Sequence, residues 1–118
     1  MLVADIHHVS LNVSDAERSL AFYRDVLGMA TLPRPDFSFR GAWLDAGNGR
    51  QIHLIEGQVP ASHGQHVAFL VGDVDAVIAA LRQSGLDVPD AKPVGDTSTR
   101  QTFTRDPDGN LLEFTQPG

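Results

Sequence analysis

The chain has 118 residues, 42% of them hydrophobic and 20% charged, with a formal net charge of −6. That suits one compact domain with a modest core. Its one lysine is Lys92 and its arginines are scattered, so the basic face that nucleic acid requires is not expected. No apolar run is long enough to span a membrane, and the N-terminal residues lack a signal-peptide pattern. The absence of cysteine excludes disulfides and thiolate metal sites and fits a cytoplasmic protein. Any metal would have to be held by His, Asp or Glu.

In chain order, residues 6–13 (IHHVSLNV) alternate as a strand. Ser14-Asp15-Ala16-Glu17 has the capping-box pattern that opens a helix. Ala16, Leu20, Tyr23 and Leu27 recur at helical spacing and predict its buried stripe, with Gly28 as the stop. A short strand at 29–32 follows. Pro33 and Pro35 then open a loop carrying Phe37, Phe39 and Arg40. Residues 42–46 and 50–56 read as a hairpin across Gly47-Asn48-Gly49. Residues 65–71 predict another strand, and 74–84 a helix with Val74, Ile78 and Leu81 on one face. A short strand is expected at 86–88, before the flexible segment DAKPVGDTST. Residues 102–104 and 111–116 form the closing hairpin, turned by DPDG.

The second list of elements repeats the first. His8, Val9, Leu11, Val13 and Asp15 align with His66, Val67, Phe69, Val71 and Asp73 at an offset of 66 − 8 = 58. Gly49, Ile52, His53 and Leu54 align with Gly109, Leu112, Glu113 and Phe114 at an offset of 113 − 53 = 60. Such self-similarity marks two copies of one supersecondary unit, here 1–57 and 62–118 joined by a linker at 58–61. The expected fold class is α+β: two βαβββ modules forming a curved, barrel-like mixed sheet with the helices outside.

Strand alternation sorts the side chains into two faces. Val9, Leu11, Val13, Val67, Phe69, Val71, Ile52, Leu54, Leu112 and Phe114 fall on helix-packed faces. His8, Ser10 and Asn12 fall on the other face of the first strand, and His53, His66 and Glu113 fall on the corresponding faces of theirs. His8, His53, His66 and Glu113 therefore form a candidate metal set, two from each half at repeat-equivalent positions. Imidazole and carboxylate donors suit Zn²⁺ or another first-row divalent ion. An inward histidine can equally be hydrogen-bonded or wet, and Glu113 can lie at a solvent edge. His7, on the opposite parity, and His63, in the linking segment, are read as surface residues.

The stretches HHVSLNVSDAERSLAFYRDVLGM, QHVAFLV and DPDGNLLEF resemble the vicinal oxygen chelate superfamily, which includes glyoxalase I, extradiol dioxygenases, fosfomycin-resistance thiol transferases and bleomycin-binding proteins. The resemblance covers essentially the whole chain. It implies the paired βαβββ fold, often as a homodimer. It also implies one divalent metal ion (Zn, Ni, Co, Mn or Fe) on His8, His53, His66 and Glu113, with two positions open for vicinal substrate oxygens. For a glyoxalase-type lyase or isomerase it implies a metal-stabilised enediolate, with Glu113 as the base and His53 assisting. Glyoxalase I carries a carboxylate where this chain has His53, so the site is one negative charge poorer. His8, His66 and Glu113 alone would also suit an Fe(II) extradiol dioxygenase. A ligand-sequestering resistance protein would need none of the four.

Candidate substrate contacts are Ser10 and Asn12, then Arg34, Phe39, Arg40 and Trp43 in the first half, and Arg100 and Phe103 in the second. Arginines there could grip a carboxylate, or could simply be solvated beside aromatics that line the mouth.

Overall fold

A computed structural model describes all of residues 1–118. The chain divides into two compact units, Met1–Ala61 and Ser62–Gly118. The first contains β1 (His8–Val13), α1 (Ala16–Ala21), a π turn (Phe22–Val26), β2 (Ala30–Leu32), β3 (Gly41–Gly47) and β4 (Arg50–Glu56). The second contains β5 (His66–Leu70), α2 (Val74–Gln83), β6 (Lys92–Pro93), β7 (Arg100–Arg105) and β8 (Leu111–Gln116). The strand orders are β1-β4-β3-β2 and β5-β8-β7-β6. In each sheet the first strand runs parallel to the last, and the other pairings are antiparallel. This is the expected α+β architecture of two βαβββ modules.

The period-2 pattern decides which face of each sheet is buried. Val13, Leu44, Ile52 and Leu54 are buried with Ala16, Phe22 and Tyr23 in the first unit. Leu112, Phe114, Thr102 and Thr104 are buried with Val74, Ile78 and Leu81 in the second. Burying one large apolar side chain contributes about 1.5–3 kcal/mol.

Both helices are tied to their own sheets at the N-terminus. The Asp15 carboxylate accepts from the Arg18 N–H, and Asp73 accepts from Ala76 N–H, each at 3.1 Å. The N-cap is therefore Asp15, one residue beyond the start of the expected capping box. A long-range partner from the last strand satisfies a further N–H. Glu56 accepts from Ala16 N–H, and Gln116 from Val74 N–H, both at 2.9 Å.

Two elements differ from expectation. The first helix does not run on to Leu27 as an α-helix. It passes into a π turn, closed by Leu27 N–H donating to the Phe22 carbonyl at 3.1 Å. The extra residue per turn brings both Phe22 and Tyr23 into the core, with Ala16 and Ser19, while Leu20 and Leu27 are only half-buried. Residues 86–88 form no strand. Arg82 donates to the Val88 carbonyl from Nε and Nη2 at 3.0 and 2.7 Å, and the Thr102 hydroxyl donates to the Pro89 carbonyl at 2.8 Å. These side chains take carbonyls that a ladder would have used. The edge strand forms later, where Lys92 pairs with Gln101.

Candidate functional site

In the second unit, β5 and β8 are parallel neighbours, with Ala68 opposite Glu113. This register brings His66 to Glu113, with Nε2 and Oε1 3.0 Å apart. The other ring nitrogen, Nδ1, lies 2.9 Å from the Gly64 carbonyl. Both neighbours are acceptors, so without a metal the ring that satisfies both is the imidazolium. The Gly64 carbonyl, followed by Glu113, accordingly raises the His66 pKa above its ordinary value, with partial burial opposing. With Nδ1–H held by Gly64, Nε2 is the nitrogen left to bind a metal, the usual arrangement for a histidine ligand. The 3.0 Å separation also fits coordination. Two donors at right angles on an octahedral ion, with bonds of about 2.1 Å, stand about 3.0 Å apart.

In the first unit, β4 lies between β1 and β3, which sets Ser10 and Trp43 opposite His53. His53 is buried and its ring is sandwiched. Trp43 stacks on one side at 4.2 Å and 6°, and His8 stacks at 4.0 Å and 13°. The Gln51 amide oxygen lies 2.8 Å from His53 Nε2. Burial, then the charges of His8, His7 and Arg34, lowers the His53 pKa below its ordinary value. His8 is exposed, and its Nδ1 lies 2.9 Å from His7 Nδ1. When His8 donates in that contact, its Nε2 is left without that proton.

The structure thus assembles the four candidates as two pairs, and no three His, Asp or Glu side chains stand together in a group that could hold a metal ion. Phe103 stands opposite Glu113 just as Trp43 stands opposite His53, and its ring meets His66 edge-on at 5.6 Å. Asn12 donates to the Gln58 carbonyl at 2.9 Å, and Ser10 is exposed beside it on β1. Arg34 donates to the Phe39 carbonyl at 2.9 Å. Its guanidinium also lies over the Phe37 and Phe39 rings, which stack on each other at 5.1 Å. Together with Glu17, Leu20 and Arg40, these residues line a cleft of about 420 Å³ beside α1.

Arg100 does not join the site residues. It shares its strand parity with buried Thr102 and Thr104, which puts it on the helix side, where it makes a two-pronged ion pair with Asp75 at 2.8 and 3.0 Å. His7, read from sequence as a surface residue, contacts a candidate ligand directly. Gln51 and Gly64 are further neighbours that the sequence pattern did not single out. Gln51 shares His53's parity and is findable that way. Gly64 contributes a carbonyl, which no residue pattern reveals.

Residues 5–114 match the sequence pattern of the Glyoxalase/Bleomycin resistance protein/Dioxygenase superfamily. The chain belongs to this superfamily. Relatives within it differ in what they do. A lactoylglutathione lyase from Haemophilus influenzae is 38% identical, over 92% of this chain and 90% of its own. A metallothiol transferase from Shouchella clausii is 29% identical, over 95% of this chain and 80% of its own. The crystal structure of an antibiotic-binding protein, TnmS3 from Streptomyces sp. CB03234, superposes with a TM-score of 0.83 at 27% identity, covering 100% of this chain and 99% of that one. Superfamily membership therefore fixes the fold and leaves the activity to be argued from the site. No helix of the chain is long and apolar enough to cross a membrane.

Proposed function

We propose that the protein is a divalent-metal-dependent lyase or isomerase of glyoxalase type. Its substrate is a small molecule with vicinal oxygens, such as the hemithioacetal of an α-ketoaldehyde and a thiol. The observation that carries this reading is the His66–Glu113 pair, with its 3.0 Å donor separation and with Nδ1 of the histidine already taken by Gly64. The 38% identity to a lactoylglutathione lyase over nearly all of both chains supports it.

His66, Glu113 and His8, with His53 as the fourth candidate, are the residues to hold the ion. A divalent ion bound there supplies Lewis-acid stabilisation of negative charge on the substrate oxygens. Glu113 takes the proton from the carbon beside the carbonyl and returns it to the neighbouring carbon. Its side chain is only 13% exposed, which limits loss of that proton to water. Ser10 and Asn12 orient substrate oxygens, and Trp43 and Phe103 flank them. Arg34, Phe39 and Arg40 line the cleft in which the remainder of the substrate rests. A cytoplasmic homodimer is the expected state.

A second reading, ligand sequestration without turnover, is favoured by the exposed Phe37 and Phe39 and by the antibiotic-binding structural relative. A third, Fe(II)-dependent dioxygenation, needs only His8, His66 and Glu113. Assays of the metal-loaded protein separate the three. Turnover of a hemithioacetal with Ni²⁺, Co²⁺ or Zn²⁺ supports the first. Oxygen uptake with Fe²⁺ and a catechol supports the third. Stoichiometric ligand binding without metal or product supports the second.

A further inference from the structure

The outer edge of β3 is covered in the first unit, and the matching edge of β7 in the second is bare over residues 103–105. In an antiparallel ladder, alternate residues turn both backbone groups toward the same neighbour. Arg40, just before β3, faces β4, its carbonyl accepting from Glu56 N–H at 2.8 Å, so Trp43 and Asp45 face the other way. There β2 meets them, with Leu32 opposite Trp43 and Ala30 opposite Asp45. In the second unit the Thr99 carbonyl accepts from Val94 N–H at 2.9 Å, so Gln101, Phe103 and Arg105 share that outward side. β6 pairs only with Arg100 and Gln101. Residues 86–88 form no strand, and no other backbone hydrogen bond meets Phe103 or Arg105 on this side.

In place of a strand lies a cleft of about 410 Å³, lined by Leu86, Asp87, Phe103, Thr104, Arg105 and Leu111. An open edge of this kind is a template for a further strand. Its pattern is self-complementary. The two outward residues, Phe103 and Arg105, stand symmetrically about Thr104. Turned about a twofold axis at Thr104, a second β7 sets its Arg105 opposite Phe103 and its Phe103 opposite Arg105, both as hydrogen-bonded pairs. On one face each guanidinium then meets a phenylalanine ring, a cation–π pair. Arg105 is exposed and only its Nη1 is engaged, by the Gly109 carbonyl at 2.8 Å and the Ser62 hydroxyl at 3.4 Å. On the other face Thr104 meets its own copy, a favourable cross-strand pair. Beyond Arg105 the chain turns back, with Gly109 N–H donating to the Asp106 carbonyl, so the added strand ends before the residues that β6 occupies.

We propose that this edge is a dimer interface, in which two copies of the chain pair β7 to β7, antiparallel, across Thr104. The inference rests on the homodimer expected above, names its surface, and is independent of the metal reading. It also reaches the candidate site. The Phe103 ring that Arg105 of the second copy covers is the ring that meets His66 edge-on at 5.6 Å. Pairing therefore fixes, in each copy, an aromatic neighbour of His66.

The chain has no cysteine, so a single introduced thiol reports the pairing. Residues that face each other in a non-hydrogen-bonded pair have Cα atoms about 4.5 Å apart, within disulfide range. Thr104→Cys should therefore oxidise to a disulfide-linked dimer at micromolar concentration. Ala79→Cys, exposed on α2, should stay unlinked. Equal linking of the two, or no linking of Thr104→Cys, would overturn the inference. Each dimer holds two Phe103–Arg105 pairs, so Arg105→Ala should weaken association about tenfold in sedimentation. Unchanged association would contradict the proposed register.

A second measurement needs no variant. Amide hydrogen exchange at Phe103 and Arg105 should slow as protein concentration rises and the dimer forms. Exchange at Thr102 and Thr104, which already pair with Phe114 and Leu112 of β8, should not change. Fast exchange at Phe103 and Arg105 in a sample that sedimentation shows to be dimeric would remove this interface and leave the homodimer. A monomer at every concentration would remove both. Metal binding, titrated separately, stands or falls without regard to either result.

Discussion

The two halves of the molecule share a topology and differ in the chemistry they place on it. In the first, β1 and β4 bring together two imidazoles, stacked face to face beside a tryptophan. In the second, β5 and β8 bring together an imidazole and a carboxylate, joined edge to edge through a hydrogen bond. The backbone registers are equivalent, Ser10 opposite His53 and Ala68 opposite Glu113. The repeat therefore preserves where side chains are delivered, and single substitutions decide what they do there. The helix caps show the same rule with less divergence. Glu56 and Gln116 meet the starts of α1 and α2 at the same distance, one charged and one neutral.

The comparison is broken most sharply at the pair that differs. Glu113→Gln removes the proposed base and keeps the side-chain shape. Its expected effect is a loss of about 10²–10⁴ in kcat on a hemithioacetal, the range for a general base. His53→Gln should cost less, because His53 only assists the proton transfer that Glu113 carries out. Equal losses would show that the two halves contribute alike.

Core truncations test instead what the halves share. Leu54→Ala and Leu112→Ala empty fully buried sites on the helix-packed faces of β4 and β8. Each should destabilise the chain by about 2–5 kcal/mol in urea unfolding. The N-caps come next. Asp15→Ala and Asp73→Ala should each cost about 1 kcal/mol. A much larger cost at Asp15 would mean that the π turn makes α1 more dependent on its start than α2.

The smallest effect separates the two histidine environments by sign. The His66 pKa is raised, so folding favours its charged form. The stability it contributes is fully present below the ordinary value of 6.5 and is lost as pH rises through the raised native value. The His53 pKa is lowered, so the opposite holds. Its contribution is intact above 6.5 and is lost as pH falls through the depressed native value. NMR titration of the metal-free protein should find His66 titrating above 6.5 and His53 below it. Glu113→Gln should bring His66 part of the way back, because the Gly64 carbonyl remains.

Much of this site is legible in the sequence, because strand alternation is a strict geometric rule. The parity that turns His8 away from Val9 and Leu11 also places Trp43 opposite His53 and puts Arg100 on the helix side with Thr102. Carried through to β7, the same parity removes Arg100 from the substrate contacts on sequence grounds alone. The π turn is not legible, because Leu20, Tyr23 and Leu27 fit an α-helical stripe as well as Phe22 and Tyr23 fit the turn. The position of β6 is not legible either. It depends on Arg82 and Thr102 capturing the Val88 and Pro89 carbonyls, side-chain contacts that strand alternation does not encode. The contact of His7 with His8 escapes the parity rule because it joins adjacent residues at the strand's open end, where alternation does not constrain the rings.

The most direct measurement is metal content and turnover on one sample: wild type stripped with a chelator, titrated with Ni²⁺ or Co²⁺, and assayed on a hemithioacetal at each step. The expected result is saturation at one ion per chain, with activity rising in parallel and abolished again by chelation. A protein that binds no divalent ion, or that turns over the substrate equally well without one, would contradict the proposed metal centre of His8, His53, His66 and Glu113.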